Sequence, residues 1–344
     1  MEENGRLHVC DSAEVADEEL DRIAAGYRAF ADEAAAESPL YGQLAAGVAE
    51  NGEILRFVAG LPVGKRQPNL LFAAVQYLHG APADVHDLHR WVADDGDRLR
   101  TTMLSRATQT NEPARCTALL PLLGLLDGPL ALIEVGASAG LCLYPDRYSY
   151  TYDGRPVGAR AAVHLACSTS GDGPVPRALP DIAARIGIDL NPLDPADPDD
   201  RAWLRALIWP GPHAADRLAR LEAAAGLAGR EPARMLQGDL VERLPDALAL
   251  VPDGATPVVL HTAVLPYLPS ALRAAFVDQV RGLPVRWIAQ EAAGMVPGTG
   301  ERHAGGWGPF FVLSLDGRPL AHTAPHGGRI DWLPDAAALA ASPG

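Results

Sequence analysis

Cysteine and long apolar runs are scarce in this sequence, and each scarcity excludes a class of protein. The cysteines are Cys10, Cys116, Cys142 and Cys167. They form no CxxC pair and match no zinc-site spacing, so we predict reduced thiols in a cytoplasmic protein and no metal site. The longest apolar stretch, 118–126, is too short to span a bilayer. The acidic N-terminus lacks the apolar core of a signal peptide, so no membrane association is expected.

Positive charge is also in short supply. The chain has 29 Lys and Arg residues against 43 Asp and Glu residues, which gives a net charge of −14, and its basic residues form no run. Because binding to nucleic acid requires Lys and Arg clustered against the phosphates, a nucleic-acid partner is not expected. A small molecule is the predicted partner instead.

The chain contains two parts with different patterns. Residues 1–125 carry apolar residues at helical spacing, as in DEELDRIAAGYRAFADEAAAESPLY and NLLFAAVQYLHG, and predict an N-terminal helical region. Residues 126–344 alternate short apolar runs with helical stretches, which is the pattern of parallel βαβ units. We therefore predict a Rossmann-like α/β domain over 126–344.

The strands of that domain are predicted from apolar runs. These are LALIEVG, IGIDLNPLD, ARMLQGD, TPVVLHTAVL and VRWIAQE. The tail, PFFVLSLDGRPLAHTAPHGGRIDWL, predicts a C-terminal β-hairpin that turns at Asp316-Gly317. A mostly parallel sheet that ends in a hairpin is typical of the S-adenosylmethionine-dependent methyltransferase fold. The predicted fold class is thus α/β, with a Rossmann-like, methyltransferase-type sheet preceded by helices.

Acidic residues follow the predicted strands one after another. They are Glu134, Asp189 (or Asp194), Asp239 and Glu291. Ligands of open α/β sheets bind beyond the carboxyl ends of the strands, so these acids are expected to line one site. We predict that Glu134, Asp189 and Asp239 contact S-adenosylmethionine, through its ribose hydroxyls and adenine amine among other groups. Each acid taken alone is equally well explained as a cap or turn residue.

The turn after the first predicted strand, EVGASAG, consists of small residues. Gly136, Ser138 and Gly140 allow close approach of a ligand to the backbone and are predicted to contact the cofactor. A dinucleotide site is not expected, because Ser138 replaces a glycine of GxGxxG and Pro145 interrupts the helix that would meet the phosphates. GASAG also matches the nucleophile elbow of hydrolases, but Pro145 breaks the following helix, so a hydrolase is a lesser alternative.

Further polar residues are candidates for contacts with substrate. The motif QTNE, 109–112, precedes the first strand and is either a group that reaches a substrate amine or hydroxyl, or a loop or helix cap. His261 follows an apolar strand and is either a general base or a half-buried structural histidine. His303 is a candidate lid residue in a glycine-rich stretch. The predicted catalytic residues are Glu112, His261 and Glu291, and the predicted substrate-binding residues are Asn111, Asp194 and Tyr267.

Several long motifs lie in order along the chain. They are RQPNLLFAAVQYL, TQTNEPAR, EVGASAGL, DRYSYTY, IGIDLNPLDPADPDDRAWLRALIWP and APHGGRIDWL. In these the chain resembles the bacterial family DUF2332, a domain of unknown function, over nearly its full length. The resemblance implies a distant relationship to the methyltransferase fold and favours a functional role for QTNE. Cys142 stands where members usually have asparagine, which indicates a specialised member.

Two enzymatic functions are compatible with these features. The leading one is methyl transfer from S-adenosylmethionine to a small molecule, for which a protein mainly aligns the reacting atoms. The alternative needs no cofactor: an acid-lined cavity holds an amine and aims it at a carbon bearing a leaving group such as sulfate, closing an aziridine-type ring, with Glu112, Asp189 or Glu291 as base. A third possibility is a non-catalytic partner subunit, and a small accessory subunit or a second copy of the chain is a further expected partner.

Overall fold

The computed structural model describes residues 17–300 and 310–340. The chain divides into two compact units, one within 1–108 and 206–214, the other within 109–205 and 215–344. The candidate His303 lies outside the described residues.

The first unit is helical, as the sequence predicts. Its helices are α1 (Asp17–Ala34), α2 (Pro39–Ala49), α3 (Gly52–Ala59), α4 (Pro68–His79) and α5 (Val85–Ser105). Polar residues begin several of them: Ser38 Oγ accepts from the Tyr41 N–H, and Asn51 Oδ1 accepts from the backbone at the start of α3. Such caps satisfy N–H groups that have no partner inside the helix.

Aromatic side chains fill the core of the first unit. Phe72 packs against Tyr27 and Tyr41, with ring centroids 6.2 and 4.8 Å apart. Trp209 packs against Phe30, with ring centroids 5.2 Å apart. Buried aromatic rings contribute large apolar areas, so this cluster explains why a short segment near residue 209 belongs to the helical unit.

The second unit is built on one sheet. Its strands are β1 (Leu130–Val135), β2 (Ser149–Tyr152), β3 (Arg155–Val157), β4 (His164–Ser170), β5 (Ile182–Asp189), β6 (Arg234–Gln237), β7 (Thr256–Thr262), β8 (Arg286–Ala292), β9 (Phe311–Leu315), β10 (Arg318–Thr323) and β11 (Arg329–Trp332). Its helices are α6 (Cys116–Leu123), α7 (Pro198–Ala206), α8 (Ala214–Ala228), α9 (Leu240–Leu248), α10 (Ser270–Arg281) and α11 (Ala337–Ala340). Within the described residues the strands are ordered β3-β2-β4-β11-β10-β9-β8-β7-β1-β5-β6.

The parallel strands predicted from the sequence form the centre of this sheet. β6, β5, β1, β7 and β8 pair in parallel, which confirms a large, mostly parallel α/β sheet. All residues of β1 are buried, as expected for a strand covered on both faces. On one face, Ile133, Val135 and Val259 pack against α9 and α10.

The predicted hairpin is also present. β9 and β10 pair antiparallel around Asp316 and Gly317, both of which have left-handed backbones with φ +53° and +79°. This is the backbone that a two-residue hairpin turn requires and that Asp-Gly favours.

An insertion that the sequence did not predict follows β1. Instead of a helix, the chain makes short 3-10 turns at Leu141–Leu143 and Pro145–Arg147 and then enters β2, β3 and β4. Asp146 anchors these turns, because its two carboxylate oxygens accept from the Arg185 guanidinium at 2.8 and 2.7 Å. Pro145 and Asp146 therefore end the turn after β1, and Asp146 connects it to β5.

Candidate functional site

Strand order defines one edge of the sheet as the place for a site. Numbered along the chain without the β2–β4 insertion, the parallel strands are arranged 3-2-1-4-5, so the direction of strand addition reverses between β1 and β7. Ligands of open α/β sheets bind at such a reversal, beyond the carboxyl ends of the strands. The ends of β1 and β7 are therefore the first candidates.

Both of these strand ends carry a non-glycine residue with a left-handed backbone. Ser138, in the turn after β1, has φ +53°, and Ala263, directly after β7, has φ +57°. Such a conformation costs about 1–3 kcal/mol for a residue with a side chain, and this strain concentrates at functional sites. Its occurrence on both sides of the reversal favours this edge.

The QTNE motif, segment 109–112, covers the turn after β1. The contacts are Ser138 Oγ–H to the Gln109 carbonyl at 2.8 Å, Leu141 N–H to Asn111 Oδ1 at 2.8 Å, and the Cys142 thiol to the Glu112 carbonyl at 3.5 Å. The sequence suggested that Asn111 reaches over the sheet to a substrate, whereas its carbonyl group binds the backbone of the turn. The Ser138 hydroxyl likewise donates to a carbonyl and not to a base, which does not favour a hydrolase.

Asp189, at the end of β5, is held by the same two segments. Its Oδ2 accepts from the Ser138 N–H at 2.8 Å, and its Oδ1 accepts from the Asn191 N–H and from Gln109 Nε2, both at 2.8 Å. Burial raises the pKa of Asp189, and these hydrogen bonds oppose the rise. This carboxylate is thus occupied mainly in fixing the turn.

Glu134, in β1, is a predicted site residue with a buried carboxyl oxygen that has no hydrogen-bond partner among the described residues. Its side chain is 1% exposed, and its Oε2 meets no hydrogen-bond partner among the described residues. Burial raises the pKa of Glu134 well above its usual value; the adjacent Cys142 thiol adds to this and the Arg115 guanidinium opposes it. Buried polar atoms are nearly always hydrogen-bonded. We therefore expect Glu134 Oε2 to accept from a donor that is not among the described residues.

Arg115 joins three segments around this carboxyl. Its Nε–H donates to the Pro325 carbonyl at 3.0 Å, and its Nη1 donates to the carbonyl and hydroxyl oxygens of Thr262 at 3.1 and 3.3 Å. Gly327 lets these segments meet, since a Cβ there would lie 2.0 Å from the Ala114 carbonyl oxygen. Gly327 of APHGG is therefore required by close backbone approach.

Glu112, predicted as a catalytic residue, forms ion pairs with two arginines of α8. Its carboxylate accepts from Arg217 Nε at 2.9 Å and from Arg220 Nε at 3.1 Å, and its Oε1 also caps the 3-10 turn that follows it. Burial alone would raise the pKa of Glu112, but the two guanidinium groups outweigh burial and lower it. A carboxylate stabilised in its charged form by two arginines is a weak proton acceptor.

His261 and Glu291 form a fully buried network on β7 and β8. His261 Nδ1 lies 2.6 Å from Glu291 Oε1, and the Trp287 indole N–H donates to His261 Nε2 at 2.9 Å. Because an indole nitrogen only donates, Nε2 is the accepting nitrogen and Nδ1 carries the proton. Both ring nitrogens are therefore used, which does not suit a general base.

Glu291 also organises the loop after β7. Its Oε1 accepts from the Val264 N–H at 2.9 Å, and both of its oxygens lie 3.3 Å from the Leu265 N–H. Side chains on a strand alternate between faces, and His261 and Glu291 share the face of Val259 and Trp287, which pack against α9 and α10. Glu134 lies on the opposite face, so these predicted catalytic residues are not brought together with it.

Two further predicted acids, Asp239 and Asp194, accept hydrogen bonds from backbone groups close to them in the chain. Asp239 caps α9 by accepting from the N–H groups of Val241 and Glu242 at 2.8 and 3.3 Å. Asp194 Oδ1 accepts from the Ala196 N–H at 2.8 Å within its own turn. Tyr267 follows β7 and is 58% exposed. Among the predicted acids, Glu134 differs in having a buried oxygen without a hydrogen-bond partner in the described part of the chain.

Several residues of this site were missed in the sequence. Gln109, Cys142 and Arg217 contact predicted residues, and Arg115 lies close enough to Glu134 to lower its pKa. Gln109 and Arg115 lie within TQTNEPAR, so the motif itself was the available signal. Arg217 carries no such signal, because its partner Glu112 is distant in the chain and pairing at that distance is not encoded locally.

The residues predicted for S-adenosylmethionine do not fit the cofactor in this arrangement. The N–H groups of Ser138 and Leu141 are engaged by side chains, and Asp189 is engaged by three donors. Gly136 faces Val264, whose side chain a Cβ at Gly136 would meet at 2.5 Å, so protein atoms and not open space lie beside this glycine. The close approach expected for a cofactor at this turn is thus taken by the protein's own groups.

A helical unit followed by a Rossmann-like α/β sheet, with a QTNE segment over its first turn, defines the class of this protein. Its sequence from residue 24 to residue 332 matches the model of the family described as "Uncharacterized protein conserved in bacteria (DUF2332)". The chain therefore belongs to the DUF2332 family. Comparison with curated proteins finds no match.

The described residues contain neither a membrane-spanning helix nor a metal-binding cluster. No helix in residues 17–300 or 310–340 has the length and apolar character needed to cross a bilayer. Over the same ranges, no cluster of three or more His, Cys, Asp or Glu side chains has a metal-binding arrangement.

Proposed function

We propose that this chain is a small-molecule-modifying enzyme that receives an amine at the carboxyl end of β1 and acts without a cofactor. The observation that carries the proposal is the buried Glu134 Oε2, which has no partner among the described residues. An ammonium group supplies N–H donors and a charge that offsets the cost of ionising a buried carboxyl. Entry of the amine requires a shift of segment 109–112, which covers the turn beside Glu134.

The proposed reaction is an intramolecular substitution. Glu134 takes a proton from the ammonium nitrogen, and the freed lone pair then attacks a carbon within the same molecule. The bond from that carbon to its leaving group breaks, the leaving group departs as an anion such as sulfate, and an aziridine-type ring closes. The raised pKa of Glu134 makes its carboxylate a stronger proton acceptor than an ordinary glutamate.

Methyl transfer from S-adenosylmethionine, the leading prediction from the sequence, is the second candidate. It is supported by the parallel strand order and by acids after successive strands, Asp189 after β5 and Asp239 after β6. It is disfavoured by the occupied hydrogen-bonding groups around Ser138 and Asp189. No step of the proposed reaction depends on that cofactor.

The proposal is tested by titrating the purified protein with small primary amines in a calorimeter, alongside Glu134→Gln and the control Asp253→Asn. Asp253 is exposed and precedes β7 at the opposite end of that strand, so its loss should not alter binding. Saturable amine binding that Asp253→Asn keeps and Glu134→Gln loses supports the proposal. Equal binding by all three proteins, or none by the wild type, contradicts it.

The chemical step is tested by incubating the protein with β-amino sulfate esters and measuring the sulfate released. Loss of a general base lowers such rates by about 10²- to 10⁴-fold, and this is the effect expected of Glu134→Gln. Release that is unchanged in Glu134→Gln would rule out Glu134 as the base.

A further inference from the structure

Glu112 and two arginines of α8 form a charged cluster that has no assigned role. One carboxylate, that of Glu112, faces two guanidinium groups of α8: Arg217 Nε at 2.9 Å and Arg220 Nε at 3.1 Å. Arg217 and Arg220 are three residues apart on the helix and therefore project from one side of it.

Glu112, Arg217 and Arg220 differ in the solvent exposure of their side chains. The side chains of Glu112 and Arg217 are 3% and 6% exposed, whereas that of Arg220 is 25% exposed. Arg220 Nε and Nη2 point to Glu112, and its Nη1 has no acceptor within the part of the chain that the structure describes. Arg220 therefore offers N–H donors to solvent while its other donors are held by a buried carboxylate.

The cluster is linked to the amine site by a short path. The Glu112 carbonyl lies 3.5 Å from the Cys142 thiol, and Cys142 is adjacent to Glu134. The same short segment thus contacts the neighbour of the proposed base with its backbone and the arginines with its side chain.

We propose that Arg220, supported by Arg217, is an oxyanion-binding subsite and that the substrate carries an anionic group as well as an amine. A guanidinium presents donors in a planar fork that matches two oxygens of a sulfate, phosphate or carboxylate group. Glu112 orients the fork by holding its other donors. The assignment of this anion to the substrate rests on the proposed function, whereas anion binding itself does not.

The test uses inorganic sulfate, inorganic phosphate and acetate as probes, titrated calorimetrically at constant ionic strength kept with sodium chloride. Low millimolar concentrations avoid the general stabilisation that sulfate and phosphate give by exclusion from protein surfaces. The variants are Arg220→Gln, Arg220→Lys and the control Arg90→Gln, an exposed arginine paired with Asp87 on α5. Thermal unfolding of each variant establishes that it is folded.

We expect saturable binding of at least one tetrahedral oxyanion by the wild type and by Arg90→Gln. Because charged hydrogen bonds contribute about 1.5–3 kcal/mol, Arg220→Gln should weaken binding by about tenfold or more. Arg220→Lys, which keeps the charge and loses the fork, should fall between them. Preference for acetate would assign a carboxylate to the substrate in place of a sulfate or phosphate ester.

Two results would overturn the subsite: no saturable binding of any probe by the wild type, or equal binding by Arg220→Gln and the wild type. The amine titration with Glu134→Gln is a separate measurement. Failure of amine binding with retained anion binding contradicts the proposed function alone. Failure of anion binding with retained amine binding contradicts the subsite alone.

Discussion

Two buried glutamates, Glu134 and Glu112, show how neighbours decide what the same side chain can do. Burial raises the pKa of Glu134, because Arg115 is the nearby cation and does not offset the loss of water. Arg217 and Arg220 reverse the effect of burial at Glu112 and lower its pKa. Glu134 therefore suits proton transfer, and Glu112 suits a permanent charge.

The raised pKa of Glu134 predicts a pH dependence of stability. A carboxyl with a higher pKa in the folded state contributes stability that is complete below its unfolded pKa and is lost as the pH rises through its folded pKa. Glu134→Gln removes this loss, so the variant should gain thermal stability relative to the wild type as the pH is raised from 5 to 9. Melting curves across that range measure it, and parallel curves for both proteins would contradict the raised pKa.

The buried His261 network predicts a structural role that can be separated from binding. Trp287→Phe keeps an aromatic ring and removes the N–H that His261 Nε2 accepts, leaving a buried acceptor unpaired at a cost of about 1–3 kcal/mol. Urea unfolding should show this loss, while amine binding stays unchanged because Glu134 lies on the other face of the sheet. Trp91→Phe, at a partly buried tryptophan of α5, is the control. Weaker amine binding in Trp287→Phe would contradict the purely structural role and show that His261 contributes to the amine site.

At the scale of elements, turns and segments bring the site together. Segment 109–112 covers the turn after β1, and the turn between β10 and β11 packs on the backbone at Ala114. Arg115 then connects that turn to β7 through Pro325 and Thr262. Loops placed on a rigid sheet carry the polar groups, as is common in α/β proteins.

Two Gly→Ala variants separate the stability cost of close packing at Gly327 from the cost of its backbone conformation. Gly327 and Gly254 both have left-handed backbones, with φ +76° and +80°. A Cβ at Gly327 would meet the Ala114 carbonyl oxygen, whereas a Cβ at Gly254 has no atom within 4 Å. Gly254→Ala should cost about 1–2 kcal/mol for the conformation alone. Gly327→Ala should cost several kcal/mol more in urea unfolding, and equal costs would contradict the close approach.

Strands and turns were predicted from the sequence where a pattern of neighbouring residues specifies them. Apolar runs predicted β1 and β5 through β8, and Asp316-Gly317 predicted the hairpin, because these signals act over a few residues. The insertion of β2–β4 was missed, although Asp153-Gly154 between β2 and β3 is the same kind of turn signal. The pairing of β4 with β11 joins residues far apart in the chain, and no local pattern encodes it.

The site was predicted less completely than the fold. The sequence predicted a site at the carboxyl edge and a role for QTNE, since strand ends and polar motifs are visible in it. It could not indicate that Glu112 pairs with α8, that Trp287 donates a hydrogen bond to His261, or that a buried oxygen of Glu134 has no partner among the described residues. Those facts depend on which distant side chains meet after folding.

On the scale of the whole molecule, a member of the DUF2332 family keeps the strand order of a ligand-binding α/β sheet but covers the turn after its first strand with its own chain. Side chains from 109–112 and from Asp189 hold the backbone groups of that turn. The fold therefore does not by itself imply the cofactor that such folds often use. The proposed ligand contacts are Glu134 and Arg220.

The most direct test is a calorimetric titration of the purified protein with S-adenosylmethionine and S-adenosylhomocysteine. Because the turn is closed by protein groups, we predict no saturable heat for either compound, under conditions in which small amines bind. Micromolar binding of both compounds, weakened by Asp189→Asn, would contradict the account and establish the turn after β1 as a cofactor site.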